Sequence, residues 1–188
     1  AANVFNTQTP GKNPSVYGSI IAFETHEDYA GKDLNGDGDM GDNIIQFYDT
    51  DKQTATSTQT TGRNPSVFAN NIVFETLESE EHRDLNDDGD EEDSIIQYYS
   101  LHDEKTINTE LEGQDPYLYQ YLIVFSTPEK SMGIDYNNDG DLDDNIVRSY
   151  DILKNELANT KQVGRYPSTN GRRIFLSTSE IEAKTDIN

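Results

Sequence analysis

The sequence contains no cysteine and no tryptophan, and only three histidines and two methionines. Without cysteine there is no disulfide framework, and thiolate sites for zinc or copper are excluded. Basic residues are also scarce: 14 Lys and Arg stand against 36 Asp and Glu, a formal charge of −22. Such a surface repels phosphate backbones and anionic lipid headgroups, so neither nucleic acid nor membrane insertion is expected. No apolar run approaches the roughly 20 residues of a membrane-spanning helix. No signal peptide is visible, although Ala1-Ala-Asn-Val4 fits the residues left after removal of one. Hydrophobic content is only 32%, low enough to raise the question of disorder, but the apolar residues fall in regular strand-length runs, which argues for a folded chain.

What is present is acid, and it is concentrated. Asp33-Leu-Asn-Gly-Asp-Gly-Asp-Met-Gly-Asp42 returns as Asp84–Asp93 and again as Asp135–Asp144, and these ten-residue loops hold sixteen of the acidic residues. Oxygen-bearing side chains stand at positions 1, 3, 5, 7 and 10, with glycine at position 6. Alternate side chains converging around a glycine that permits positive φ can wrap a hard cation in oxygen. Calcium fits best, because it takes six to eight oxygens in flexible geometry. Three ions are expected. The candidate ligands are Asp33, Asn35, Asp37, Asp39 and Asp42, then Asp84, Asn86, Asp88, Asp90 and Asp93, then Asp135, Asn137, Asp139, Asp141 and Asp144. Asp39 offers either its carboxylate or its carbonyl. The first six positions match an EF-hand loop, but position 12, where an EF-hand carries a bidentate Glu, is Ile44, Ile95 or Ile146. A strand-like run follows instead of a helix. Glu27, Glu78, Glu129 and Glu180 recur at one phase before the loops, and either join the metal sites or are exposed loop residues.

The repeat extends over the whole chain. Pro14, Pro65, Pro116 and Pro167 are 51 residues apart, as are Gly11, Gly62, Gly113 and Gly164. Each repeat reads as four strands. Strand a follows the Gly-x-x-Pro turn. Strand b covers 20–25, 72–76, 122–127 and 174–178. The acidic loop comes next, then strand c at 44–48, 95–99 and 146–150, and a Thr-rich strand d. Short β-branched and aromatic runs between Gly, Pro, Asn and Asp are strand signals, and no segment shows convincing helical periodicity. The expected fold is all-β: a β-propeller-like array of four-stranded antiparallel blades, about three and a half in number. The repeats are 11–61, 62–112, 113–163 and a partial 164–188, and residues 1–10 align with a strand d. The fourth repeat has no strand c, so its strand b is an expected open edge.

Gly-x-x-Pro-Ser-Val, Ile-Val-Phe-Glu-Thr, an acidic loop and Ile-Ile-Gln-Tyr-Tyr together resemble the TolB-type β-propeller repeat, and the Asp-x-Asn-x-Asp-Gly-Asp insert looks like its calcium-bearing version in secreted proteins. The resemblance implies a propeller used as a scaffold or binding module. Catalysis is not expected. His26, His82 and His102 fall at different repeat phases, and no nucleophile elbow, phosphate loop or His-Glu-x-x-His motif occurs. The functional expectation is a calcium-stabilised extracellular or cell-surface scaffold. It would bind a protein partner or self-associate, with a filament-forming protein completed by strand addition as a special case. The alternative is a non-catalytic part of a larger secreted hydrolase or lyase.

Overall fold

The computed structural model describes residues 6–179, which form a succession of antiparallel sheets. The first sheet is β1 (Lys12–Tyr17), β2 (Ile20–His26), β3 (Asn43–Asp49) and β4 (Thr54–Thr61). The second is β5 (Arg63–Phe68), β6 (Asn71–Leu77), β7 (Ser94–Ser100) and β8 (Lys105–Glu112). The third is β9 (Gln114–Tyr119), β10 (Leu122–Pro128), β11 (Asn145–Asp151) and β12 (Glu156–Val163). Strand order equals sequence order in each, so every sheet is a simple meander. The fourth holds only β13 (Arg165–Thr169) and β14 (Ile174–Ser177) among the described residues. The fold is therefore an all-β array of propeller-type blades, with strands b and c in the middle of each complete sheet.

Sequence explains the register. Asn13, Asn64 and Asp115 take φ near +50°, a conformation that short Asn and Asp side chains tolerate, and a bulge follows in β1, β5 and β9. A second bulge recurs in strand d, where Gln59, Glu110 and Lys161 have φ of 60°. Beyond these bulges the β2–β3, β6–β7 and β10–β11 pairings run without a break, because β-branched and aromatic residues fill both faces.

The core lies between blades. Ala22 and Ile45 of the first sheet pack on Val67, Ile72, Phe74 and Tyr99 of the second. Val73 and Ile96 of the second pack on Leu118, Ile123 and Phe125 of the third. Each fully buried side chain of this size is worth about 1.5–3 kcal/mol of hydrophobic stabilisation. Polar contacts repeat with the same period: Val67 N donates to Ser15 Oγ, and Leu118 N donates to Ser66 Oγ, both at 3.0 Å. Tyr17, Phe68 and Tyr119 form a row with ring centroids 4.3 and 4.9 Å apart. Buried Glu75 joins two blades, accepting from Asn64 Nδ2 at 3.0 Å and from Asp115 N at 2.6 Å. Burial, opposed by those donors, pushes its carboxyl up to about 7.

Two expectations need correction. Residues 27–30, 78–81 and 129–132 form single helical turns, α1 (Glu27–Ala30), α2 (Glu78–Glu81) and α3 (Glu129–Met132), between strand b and the acidic loop. Gly31 and Gly133 end two of them at φ 61°. Residues 6–10 form no strand ladder among the described residues. They nevertheless keep the local conformation of a strand d. Gln8 has φ 58°, and its N donates to Asn6 Oδ1, as Glu110 N donates to Asn108 Oδ1. Residues 1–5 and 180–188, including Glu180, lie outside the described residues.

The interblade seam yields a test. A Cβ on Gly62 would sit 2.6 Å from the Phe74 ring and 2.8 Å from Ile45 Cγ1. Gly62→Ala should lower unfolding free energy by about 1–3 kcal/mol through overpacking. Phe74→Ala should lower it by about 3–5 kcal/mol through the cavity it leaves. Urea denaturation measures both.

Candidate metal centre

Each acidic loop spans the end of the sheet between strands b and c. Its first residue is a backbone anchor. Asp33 accepts from Gly36 N at 2.5 Å and Gly38 N at 3.1 Å; Asp84 accepts from Gly89 N at 2.9 Å; Asp135 accepts from Asn138 N at 2.6 Å and Gly140 N at 3.0 Å. These bonds require the tight turn that Gly38, Gly89 and Gly140 make with φ near 100°. The chain then steps through Asx turns: Asn35 Oδ1 accepts from Asp37 N, Asp37 Oδ1 from Asp39 N, and Asp39 Oδ1 from Gly41 N. The second and third loops repeat this ladder through Asn86, Asp88 and Asp90, and through Asn137, Asp139 and Asp141. The loops are held to strand d of their own blades, where Ser57 Oγ, Asn108 Nδ2 and Asn159 Nδ2 donate to the carbonyls of Leu34, Leu85 and Tyr136.

Three groups of carboxylates converge: Glu27, Asp39 and Asp42 in the first blade, Glu78, Asp90 and Asp93 in the second, and Glu129, Asp141 and Asp144 in the third. One oxygen from each member of a triad lies within 4.8 Å of the others. Positions 7 and 10 of the loop therefore converge, and the third member is the recurrent glutamate of the one-turn helix. Asn35 lies beside the first triad, with Nδ2 donating to Asp42 Oδ2 at 3.3 Å and Asp37 Oδ2 at 2.9 Å. Asn86 and Asn137 reach Asp93 and Asp144 in the same way. Asp33, Asp84 and Asp135 anchor the turns, and the exposed Asp37 and Asp88 lie directly beside Asp42 and Asp93.

The glutamates are the informative residues. Glu27, Glu78 and Glu129 are fully buried at 0% exposure. The N–H of each donates to the carbonyl of Asp42, Asp93 or Asp144, so the helical turn and the end of the loop are clamped together. One carboxylate oxygen accepts from Leu34 N at 2.5 Å, Leu85 N at 2.6 Å or Tyr136 N at 2.6 Å. In the first and third blades the other oxygen, Oε2, is buried without a hydrogen-bond partner. In the second, Glu78 Oε2 accepts from Asp93 N at 3.1 Å, and the unpartnered buried oxygen is Asp84 Oδ1. The unpartnered oxygens of Glu27 and Glu129 lie in clusters of three carboxylates that could hold a metal ion. The 51-residue recurrence of Glu27, Glu78 and Glu129 was the sequence signal for them; their burial depends on a helical turn too short to announce itself.

Electrostatics agree. Burial, reinforced by Asp37 and Asp39, pushes the Asp42 carboxyl up to about 6. Burial and the Glu112 carboxylate push Asp93 up to about 7. Glu129 is raised by burial, with Asp144 and Asp135 adding to it. On the exposed side, Asp37 is lowered by the Asp39 N–H and by Asn35. An all-oxygen donor set of this kind suits a hard cation such as calcium or magnesium and offers nothing to a soft one.

No protein-family model matches the chain, and no curated protein sequence matches it. Among solved structures it is similar to TolB from Acinetobacter baumannii, with a TM-score of 0.51 and 13% identity over 85% of this chain and 34% of that one. The tricorn protease gives 0.48 and 13% identity over 82% of this chain and 13% of that one. An acylaminoacyl peptidase gives 0.44 and 11% identity over 81% and 24% of the two chains. The TolB likeness supports the propeller-type fold, and this chain spans about a third of that protein's length. No described helix is long and apolar enough to cross a membrane.

The raised carboxyls set a pH dependence. Asp42, Asp93 and Glu75 have folded-state values above their ordinary ones, so their contribution is fully present below the unfolded value and is lost as pH rises through the folded value. In chelator, the melting temperature should fall between about pH 4 and pH 7 as these groups ionise. With a divalent cation the fall should disappear, and binding near pH 6–7 should release protons, read by calorimetric titration in two buffers of different ionisation enthalpy. A melting temperature that rises over that window in chelator would contradict the assignment.

Proposed function

We propose that this chain is a calcium-binding, calcium-stabilised β-propeller module that works as an extracellular scaffold or protein-interaction surface, without catalysis of its own. The observation that carries the reading is the buried glutamate beneath each acidic loop, paired with two loop carboxylates and holding an oxygen that no protein donor reaches in two of the three blades. A cation there would join the helical turn after strand b to the loop end before strand c. It would thereby tie the two central strands of the blade together at one end.

Calcium is favoured over magnesium because the loops offer many oxygens in an irregular arrangement. Sites of modest affinity saturate where calcium is millimolar, which is the basis for placing the module outside the cell or at its surface. The acidic exterior supports a protein partner, another copy included, rather than nucleic acid or membrane. Strand addition at β14 is one mode of such assembly and would suit a filament.

Elemental analysis of the native protein should find about three calcium ions per chain. Saturation at a hundredfold excess over Kd should add about 2.7 kcal/mol per site, and chelation should lower the melting temperature accordingly. Glu129→Gln separates metal binding from folding. Its amide oxygen can still accept from Tyr136 N, and its amide nitrogen replaces the unpartnered buried oxygen. The expected result is one calcium fewer per chain, with a chelated melting temperature at or above that of the parent. Three ions retained in that variant would remove Glu129 from the site; no calcium in the native protein, with no effect of chelation, would end the calcium reading.

A further inference from the structure

A groove of about 650 Å³ lies between the first and second sheets. It sits at the end where strand a turns into strand b and strand c into strand d, opposite the acidic loops. Small-molecule sites usually enclose roughly 300–1,000 Å³, with apolar walls and a few placed polar groups. Both flanking sheets are complete, and the lining residues lie between Tyr17 and Glu104, so neither end of the chain takes part.

The floor is apolar. Ile20, Phe47 and Leu101 pack against the core between the two sheets, and the Phe47 and Tyr99 ring centroids are 5.9 Å apart. Tyr17, 42% exposed, adds a third ring to the lining. The polar groups are of mixed kind. Asp49 is held in place by the N–H groups of Asp51 and Lys52 and by Lys52 Nζ at 3.2 Å. Asn70 lines the groove from the β5–β6 turn, and Thr54 and Thr56 line it from β4.

Tyr99 is the polar side chain that this packing leaves unsatisfied. It lines the groove, is only 6% exposed, and its hydroxyl has no hydrogen-bond partner among the described residues. Burial, with the Glu104 carboxylate adding to it, raises the phenol, so it remains an O–H donor at neutral pH. The corresponding hydroxyl of the third blade is satisfied within the protein: Tyr150 Oη donates to Asn155 Oδ1 at 2.6 Å, and Asn155 stands at the phase of Glu104. The next seam also carries bulkier residues. Gln120 and Tyr121 replace Ala69 and Asn70, and Lys105 and Ile107 replace Thr54 and Thr56. Side-chain size at these four positions therefore makes room in the first seam that the second has less of.

We propose that this groove binds a neutral oligosaccharide. A sugar offers apolar C–H faces and a rim of hydroxyls that both donate and accept, and the groove offers aromatic rings beside an O–H donor, a fixed carboxylate and an amide. Tyr17 and Phe47 take an apolar face of the sugar, and Tyr99, Asp49 and Asn70 take its hydroxyls. An anion is disfavoured, because Asp49 and Glu104 outnumber Lys52 and the whole chain carries −22. An organic cation is less suited, because Lys52 already pairs with Asp49. A wholly apolar ligand would leave the Tyr99 hydroxyl buried and unpaired. The inference goes beyond the scaffold reading and does not depend on the metal clusters, which lie at the other end of the sheets.

Calorimetric titration with cellotriose, maltotriose and triacetylchitotriose tests it, with tetramethylammonium chloride as the cationic arm. At least one of the three sugars should bind the parent protein with a Kd of about 1 mM or tighter. Asn70→Tyr places in the groove the residue that the third blade carries at the same turn, and it should abolish that binding with the melting temperature unchanged. Tyr99→Phe keeps the ring and removes only the hydroxyl, and it should weaken binding by about three- to tenfold. The proposal is overturned if none of the three sugars binds the parent, if tetramethylammonium binds in their place, or if either variant binds the sugar as the parent does.

Discussion

Three carboxylates within 4.8 Å of one another, one of them fully buried, recur at the same end of every complete blade. Two like charges 4 Å apart repel by about 4 kcal/mol at an effective dielectric near 20, before relaxation. Several such pairs approach the whole stability of a domain, about 5–15 kcal/mol. The backbone nevertheless builds the cluster carefully. A helical turn aims the glutamate inward, its N–H holds the end of the loop, and a strand d side chain holds the beginning. So much pre-organisation around mutual repulsion is intelligible if the counter-charge is a cation and the cluster is a receptor for it.

The three clusters are not equivalent. Glu112 occupies the phase of Thr61 and Val163, is buried, and raises its neighbour Asp93 further than Asp42 is raised. Its own partner is Ser131 on α3 of the next blade, and Thr61 likewise donates to Glu81 on α2. The short helices therefore touch the last strand of the preceding blade while they frame the acidic cluster of their own. A cation bound at such a cluster would fix a helical turn that also contacts the preceding blade, so binding would be linked to the stacking of blades.

Much of this was legible in the sequence, and what was not has a definite cause. Strands b and c were readable because runs such as Ile-Val-Phe-Glu-Thr and Ile-Ile-Gln-Tyr-Tyr carry their own propensity and recur in register. The loop positions were readable because Asp-x-Asn-x-Asp-Gly spacing has a geometric meaning. The helical turns were hidden, since four residues such as Glu27–Ala30 are too few to show a 3.6-residue period. That loss concealed the role of Glu27, Glu78 and Glu129: their recurrence was visible, but not the turn that buries them. Division of labour inside the loop was hidden as well. Spacing alone does not distinguish Asp33, which ties down backbone N–H groups, from Asp42, which faces the cluster. The strand d phase of residues 6–10 survives in their φ angles and local hydrogen bonds, while the ladder that phase implied requires a neighbour.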